Sequence, residues 1–147
     1  MIYMIAKAFV DTNIYIYALT QSQDPTDESK RIIALSVFET LIQSQTIVTS
    51  TQVLNEFHSN LVKKFKLDDV AVFNIVEQNI VPISLIVPIG FQTYQLAFTL
   101  RSQHSLSFWD SLIVASALEN SCTTLYSEDM QHQQNIENQL LIINPFK

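Results

Sequence analysis

Five short apolar runs are separated along this chain by longer stretches of helical period, and that alternation restricts the fold more than any other feature. Ala8–Val10 reads as a short buried strand that stops at Asp11. Ile14–Leu19 reads as a short helix, and Gln21–Glu28, with Pro25 inside it, as a polar loop. Ser29–Gln43 carries Ile32, Ile33, Leu35, Val37, Phe38, Leu41 and Ile42 in a helical stripe. Ile47–Val48 is a strand stub. Thr49-x-x-Gln52 then resembles a capping box, opening a helix with Val53, Leu54, Phe57 and Leu61 inward. That helix runs to Lys63, Lys64 and Lys66, cations that suit the negative end of its dipole. Asp68–Gln78 is a further helix, and Val81–Val87 a strand that Pro82 and Pro88 mark as bent or at an edge. Ile89–Gln103 and the segment opening at Ser107-x-x-Asp110 are helical; Thr123–Tyr126 and Leu140–Ile143 are strands. Strands alternating with helices imply an α/β fold with a mostly parallel sheet, whose ligands bind beyond the carboxyl ends of the strands.

A length of 147 residues fits one domain spanning 1–147, and 48% hydrophobic residues against 15% charged argue for a packed core. The one glycine, Gly90, excludes Gly-rich phosphate loops and dinucleotide fingerprints. The one cysteine, Cys122, excludes an internal disulfide and a cysteine-based zinc site, and points to a reducing, cytoplasmic setting. Met1–Val10 lacks the features of a signal peptide, and Ile80–Phe91 is too short and too interrupted to span a bilayer, so no membrane role is expected. A net charge of −6 counts against nucleic-acid binding unless cations or a partner offset it.

Acids recur where the sheet's carboxyl rim should lie. Asp11 follows the first strand and Asp129 the fourth run's strand, while Asp110 sits in a first helical turn and Glu56 on the flank of a buried helix face. Each has an ordinary reading: Asp11 as a helix cap, for which Thr12 or Asn13 would serve equally, Asp110 as part of a capping box, Glu56 as a solvated helix residue. Together they offer a hard-oxygen donor set with no histidine or cysteine, which suits Mg²⁺ or Mn²⁺ and phosphoryl-transfer chemistry.

These residues lie in segments that resemble a known family, the PIN (PilT N-terminal) domains. Phe9-Val10-Asp11-Thr12-Asn13-Ile14, Leu54-Asn55-Glu56-Phe57, Phe108-Trp109-Asp110-Ser111-Leu112-Ile113 and Leu125-Tyr126-Ser127-Glu128-Asp129 resemble its four motifs in order, and Ile143-Asn144-Pro145-Phe146 its usual ending. The resemblance implies a three-layer α/β/α sandwich around a mostly parallel five-stranded sheet. It implies a Mg²⁺- or Mn²⁺-dependent endoribonuclease cutting single-stranded RNA to 3′-hydroxyl and 5′-phosphate ends. Among such proteins the chain is similar to VapC-type toxins, which implies a cognate antitoxin and a homodimer. By the same resemblance Asp11, Glu56, Asp110 and Asp129 would hold metal, with Asn13 and Ser127 supporting them. The chain departs from the usual pattern at Gln133, where glycine is frequent, and in carrying Glu128 beside Asp129.

Lys63 and Lys64 could touch RNA phosphates, although cations at a helix end need no such role. Trp109 could stack on a base, but a core position beside Asp110 is expected of it. Tyr15 and Tyr17 are expected to be buried with solvated hydroxyls, and His58, His104 and His132 to be structural. A dehalogenase-type phosphatase would need a second acid at Asn13, and a receiver domain a pair of acids near the first strand. The rival of a different class is a catalytically silent PIN-like module that binds RNA or protein.

Overall fold

The structure, a computed structural model, describes residues 4–147, so the start of the Met1–Val10 reading lies outside the described residues. In chain order the elements are β1 (Lys7–Val10), α1 (Thr12–Leu19), α2 (Pro25–Ser44), β2 (Thr46–Ser50), α3 (Thr51–Phe65) and α4 (Asp69–Ile75). They continue with β3 (Ser84–Val87), α5 (Phe91–His104), α6 (Phe108–Glu119), β4 (Thr124–Tyr126), β5 (Asn135–Ile136) and β6 (Leu140–Ile143). The strands form one sheet in the order β3-β2-β1-β4-β6-β5, parallel except for β5 against β6, with helices flanking it in a three-layer α/β/α arrangement.

The central strands are apolar because both their faces are covered. Ala8, Phe9 and Val10 of β1 are completely buried, as is Val48 beside them in β2. α6 runs through the core: every residue from Ser111 to Ala117 is buried, which explains why it is apolar all round rather than striped. α5 packs along α6, and α1 against α2 and α3. Among the described residues no helix is long and apolar enough to cross a membrane.

The structure differs from the sequence reading in four places. The sheet has six strands rather than five, because a two-residue β5 pairs antiparallel with β6. The loop read as Gln21–Glu28 ends earlier: Pro25 occupies the first position of α2, where its missing N–H is harmless, and Asp24 caps the helix by accepting the Thr26 N–H at 2.8 Å. Thr49 does not open α3; it is buried in β2, and Ser50 is the cap, accepting the Val53 N–H at 3.4 Å. Val81–Ile83 is a 3₁₀ turn containing Pro82, reached from α4 through a π-turn at Val76–Ile80, so only Ser84–Val87 is strand. That strand is at the sheet edge, as its prolines indicate.

The cap of α2 is exposed and takes no part in the pocket described below. Asp24→Ala is expected to lower stability by about 1 kcal/mol, read from the shift of a urea or thermal midpoint.

Candidate active site: a carboxylate-lined pocket

β1 and β4 pair with Val10 beside Tyr126, and the Asp11 N–H donates to the Tyr126 carbonyl at 3.0 Å. The next residue on each chain, Asp11 and Ser127, therefore meet at the rim, where the Ser127 hydroxyl donates to Asp11 Oδ2 at 2.9 Å. Asp11 Oδ1 accepts the Thr12 N–H at 2.7 Å, making Asp11 the N-cap of α1. Cap and pocket wall are thus one role rather than alternatives. Thr12 and Asn13 do not cap; each reaches another acid. The Thr12 hydroxyl donates to Glu56 Oε2 at 2.8 Å, and Asn13 Nδ2 donates to Asp129 Oδ2 at 3.3 Å.

Glu56 projects from α3, held from its own helix as well. Gln52, one turn earlier, donates from Nε2 to Glu56 Oε1 at 3.0 Å and to the Trp109 carbonyl at 3.2 Å, tying α3 to the start of α6. Asp110 stands in the first turn of α6, whose cap is Ser107, accepting the Asp110 N–H at 3.1 Å. Asp129 lies two residues beyond Ser127. Its neighbour Glu128 faces away, taking Lys30 Nζ at 2.9 Å and the Tyr17 hydroxyl at 3.2 Å. Of the two adjacent acids, Asp129 lines the pocket and Glu128 is engaged in this ion pair. The segment after β6 helps hold that loop. Asn144 Nδ2 donates to the Glu128 carbonyl at 3.1 Å, and His132 Nδ1 accepts the Asn144 N–H at 3.0 Å.

Asp11, Glu56, Asp110 and Asp129 line one open pocket of ≈ 480 Å³. Burial is the main force on the protons of Asp11, Asp110 and Asp129. It pushes Asp11 up to about 6 against the lowering effect of the Thr12 and Ser127 bonds, with Glu56 and Asp110 adding to the rise. Asp110 is raised by burial and by Glu56, and Asp129 by burial, then by Glu128, Asp110 and Glu56. The acids thus feel one another's charge. They are not drawn together into a closed ligand set: among the described residues no three Asp, Glu, His or Cys side chains stand close enough to hold one ion. The donor chemistry fits a hard divalent cation, since every acid offers oxygen and neither imidazole nor thiol lines the pocket.

Of the two lysines named from sequence, Lys64 lines the pocket and Lys63 does not. Lys64 belongs to a row on α3, with Gln52, Glu56 and Asn60 at four-residue spacing, all on the pocket wall. Sequence reasoning missed Thr12, Gln52 and Asn60; the four-residue spacing from Glu56 was the available signal for Gln52 and Asn60. Trp109 is not a core residue: it is 64% exposed and lines the pocket. At the start of α6 its side chain precedes the stretch that enters the core, so helix phase turns it outward. Tyr15 is buried, but its hydroxyl meets that of Ser84 at 2.9 Å rather than water. Tyr17 is half-buried, its hydroxyl taken up by Glu128. His58 pairs with Asp69 and His104 with Glu137, in keeping with structural roles. Cys122 is buried packing, its thiol pushed up to about 12 by that burial.

Residues 8–137 match the family model for the PIN domain. No match was found among curated proteins. Solved structures with the same fold include VapC20 of Mycobacterium tuberculosis, described as a toxin that cleaves the sarcin–ricin loop, at 18% identity and a TM-score of 0.61, covering 83% of this chain and 89% of that one. VapBC2 of Rickettsia felis, bound to a fragment of promoter DNA, aligns at 20% identity and a TM-score of 0.67 over 92% and 96%. A toxin–antitoxin complex of Klebsiella pneumoniae aligns at 18% and 0.67 over 94% and 97%.

The buried charge of Asp11 has a measurable sign. A carboxyl raised from 3.8 to about 6 binds its proton more tightly folded than unfolded, so stability is lost as pH climbs through that window, by roughly 3 kcal/mol at its end. Asparagine can cap α1 by accepting the Thr12 N–H on Oδ1, while its Nδ2 donates to the Ser127 hydroxyl in a bond of reversed direction. In EDTA, Asp11→Asn should therefore melt above the wild type at about pH 7.5 and lose that advantage near about pH 4. Equal offsets at both pH values would mean that the carboxyl is not raised.

Proposed function

The chain belongs to the PIN domain family, and we propose that it is a metal-dependent endoribonuclease that cuts single-stranded RNA, the toxin of a toxin–antitoxin pair. The observation that carries this reading is the convergence of Asp11, Glu56, Asp110 and Asp129, from four separate elements, on one pocket at the carboxyl rim of the sheet. A cluster of this kind is self-repelling in isolation and gains from a cation. Mg²⁺ or Mn²⁺ would be held in this pocket by oxygens of these acids, and when bound it supplies Lewis acidity and charge neutralisation at a phosphate.

The chain's own residues perform the rest. Ser127 and the Thr12 N–H fix the Asp11 carboxyl from both oxygens, so its direction is set before substrate arrives. Thr12 and Gln52 do the same for Glu56, and Asn13 for Asp129. Lys64 stands on the same wall as a cation for the phosphate beside the cut bond. Water adds to phosphorus, the 3′ oxygen leaves, and the ends are a 3′-hydroxyl and a 5′-phosphate.

The neighbours named above support the toxin assignment, one being described as a toxin that cleaves the sarcin–ricin loop and another as a toxin–antitoxin complex. An antitoxin that blocks the pocket, a homodimeric state and a cytoplasmic location complete the proposal. The same acids without turnover would make the chain a silent RNA- or protein-binding module.

Labelled single-stranded RNA is expected to be cut with Mg²⁺ or Mn²⁺ and spared in EDTA, and Asp11→Asn and Asp129→Asn should abolish cutting. Asn13→Ala should reduce it about 10–100-fold, because it only orients Asp129. Glu128→Gln should cost less than Asp129→Asn, since Glu128 faces Lys30. In melting curves Mn²⁺ should raise the wild-type midpoint through linkage, and Asp110→Asn should blunt that rise. A folded wild type that cuts nothing and ignores Mn²⁺ would favour the silent module.

A further inference from the structure

The pocket does not end at its carboxylates. Trp109 also lines a second hollow beside it, where Ile89 and Leu112 meet Thr51, Gln52, Asn55 and Glu56, and from Trp109 a row of aromatic rings runs outward across α6 and α5. The Phe108 ring meets Trp109 edge-on at 5.6 Å between centroids, Tyr94 meets Phe108 at 6.0 Å, and Phe91 stacks on Tyr94 at 6.0 Å. Three of the four are exposed, Phe91 at 72%, Tyr94 at 49% and Trp109 at 64%, while Phe108 is half-buried against the core and joins them. Phe98 and Arg101 extend the same exposed row at helical spacing. In a chain of net charge −6, the fourteen residues of α5 contain no acid. α5 therefore adds no negative charge of its own to the surface beside the pocket.

We propose that Trp109, Phe108, Tyr94 and Phe91 form a platform on which unpaired bases next to the cut phosphate stack. This rests on the nuclease reading and specifies its substrate: unpaired, base-bearing nucleotides rather than duplex. Continuity decides for this occupant. The ladder begins on the wall of the pocket itself, so a strand whose phosphate lies among the acids and Lys64 has its neighbouring bases beside Trp109. Every base has a face that stacks on an aromatic ring, which makes such a platform tolerant of sequence. Gln52 links the two parts, holding Glu56 with the same amide that binds the Trp109 carbonyl.

Trp109 is the chain's one tryptophan, so its fluorescence reports the platform directly. The probe is a 12-nucleotide single-stranded RNA titrated in EDTA, where nothing is cut. The controls are an abasic strand of equal charge and the same RNA in a duplex. The expected result is quenching of Trp109 by the single strand alone. Affinity should weaken about fivefold to a hundredfold in Tyr94→Ala and in Phe91→Ala, exposed positions whose truncation spares the core. Equal quenching by the abasic strand, or unchanged affinity in both variants, would overturn the platform, and would do so even if the wild type cuts RNA with Mn²⁺. Quenching that follows the prediction without any cutting would uphold the platform and refute the nuclease. A wild-type dimer that both variants convert to monomer, with RNA affinity unchanged, would assign the face to a second copy of the chain and overturn the proposal.

Discussion

The pocket depends on one parallel pairing, β1 against β4. With Val10 beside Tyr126, the residues that follow them emerge at the same rim, and the Ser127 hydroxyl reaches Asp11. A shift of one residue in that register would turn each side chain to the opposite face of the sheet. The completely buried Phe9 and Leu125, paired across the two strands, oppose such a shift, so the packing of the core also aims the carboxylate. The neighbouring strand β2, in register with β1 on its other side, starts α3 from the same rim and carries Glu56 over it.

Stability and chemistry pull in opposite directions at this rim. Burial disfavours the ionised Asp11, and Glu56 and Asp110 add to the cost. The structure answers with local hydrogen bonds rather than with an opposing charge. Thr12 illustrates the economy, its N–H serving Asp11 and its hydroxyl Glu56. Lys30, a cation close to the fourth motif, pairs with Glu128, where it lies over the Tyr17 and Phe146 rings and secures the loop from outside the pocket.

The alternation of apolar runs was enough to read the α/β class and the mostly parallel sheet, because covered strands are largely apolar, whereas the three layers were implied by the family resemblance. The acids of the four motifs were readable for the same reason: each adjoins a buried run that fixes where it emerges. What escaped the sequence were features set by tertiary contact. β5 is two residues long and exists through its pairing with β6, so it has no periodicity of its own. Asp24-Pro25 looked like loop because proline both breaks helices and begins them. Thr49 and Ser50 are chemically equivalent as caps, and only the depth of β2 in the sheet selects the second. Trp109 was assigned inward on its bulk, whereas the helix turns it out beside the acids; such departures from the local rule gather at functional surfaces.

The bond between Ser127 and Asp11 joins residues 116 positions apart, and that separation sets an order of events during synthesis. Asp11, Glu56 and Asp110 all leave the ribosome before Ser127, and until β4 arrives the space beside β1 is empty of its partner. A growing chain can build α1 and α3 early, since helices close on local contacts, but the pairing that orients Asp11 closes among the last. A ribosome making this protein therefore carries three of the four acids without the bracket that aims the first of them, and the pocket takes shape only once nearly the whole fold has been released.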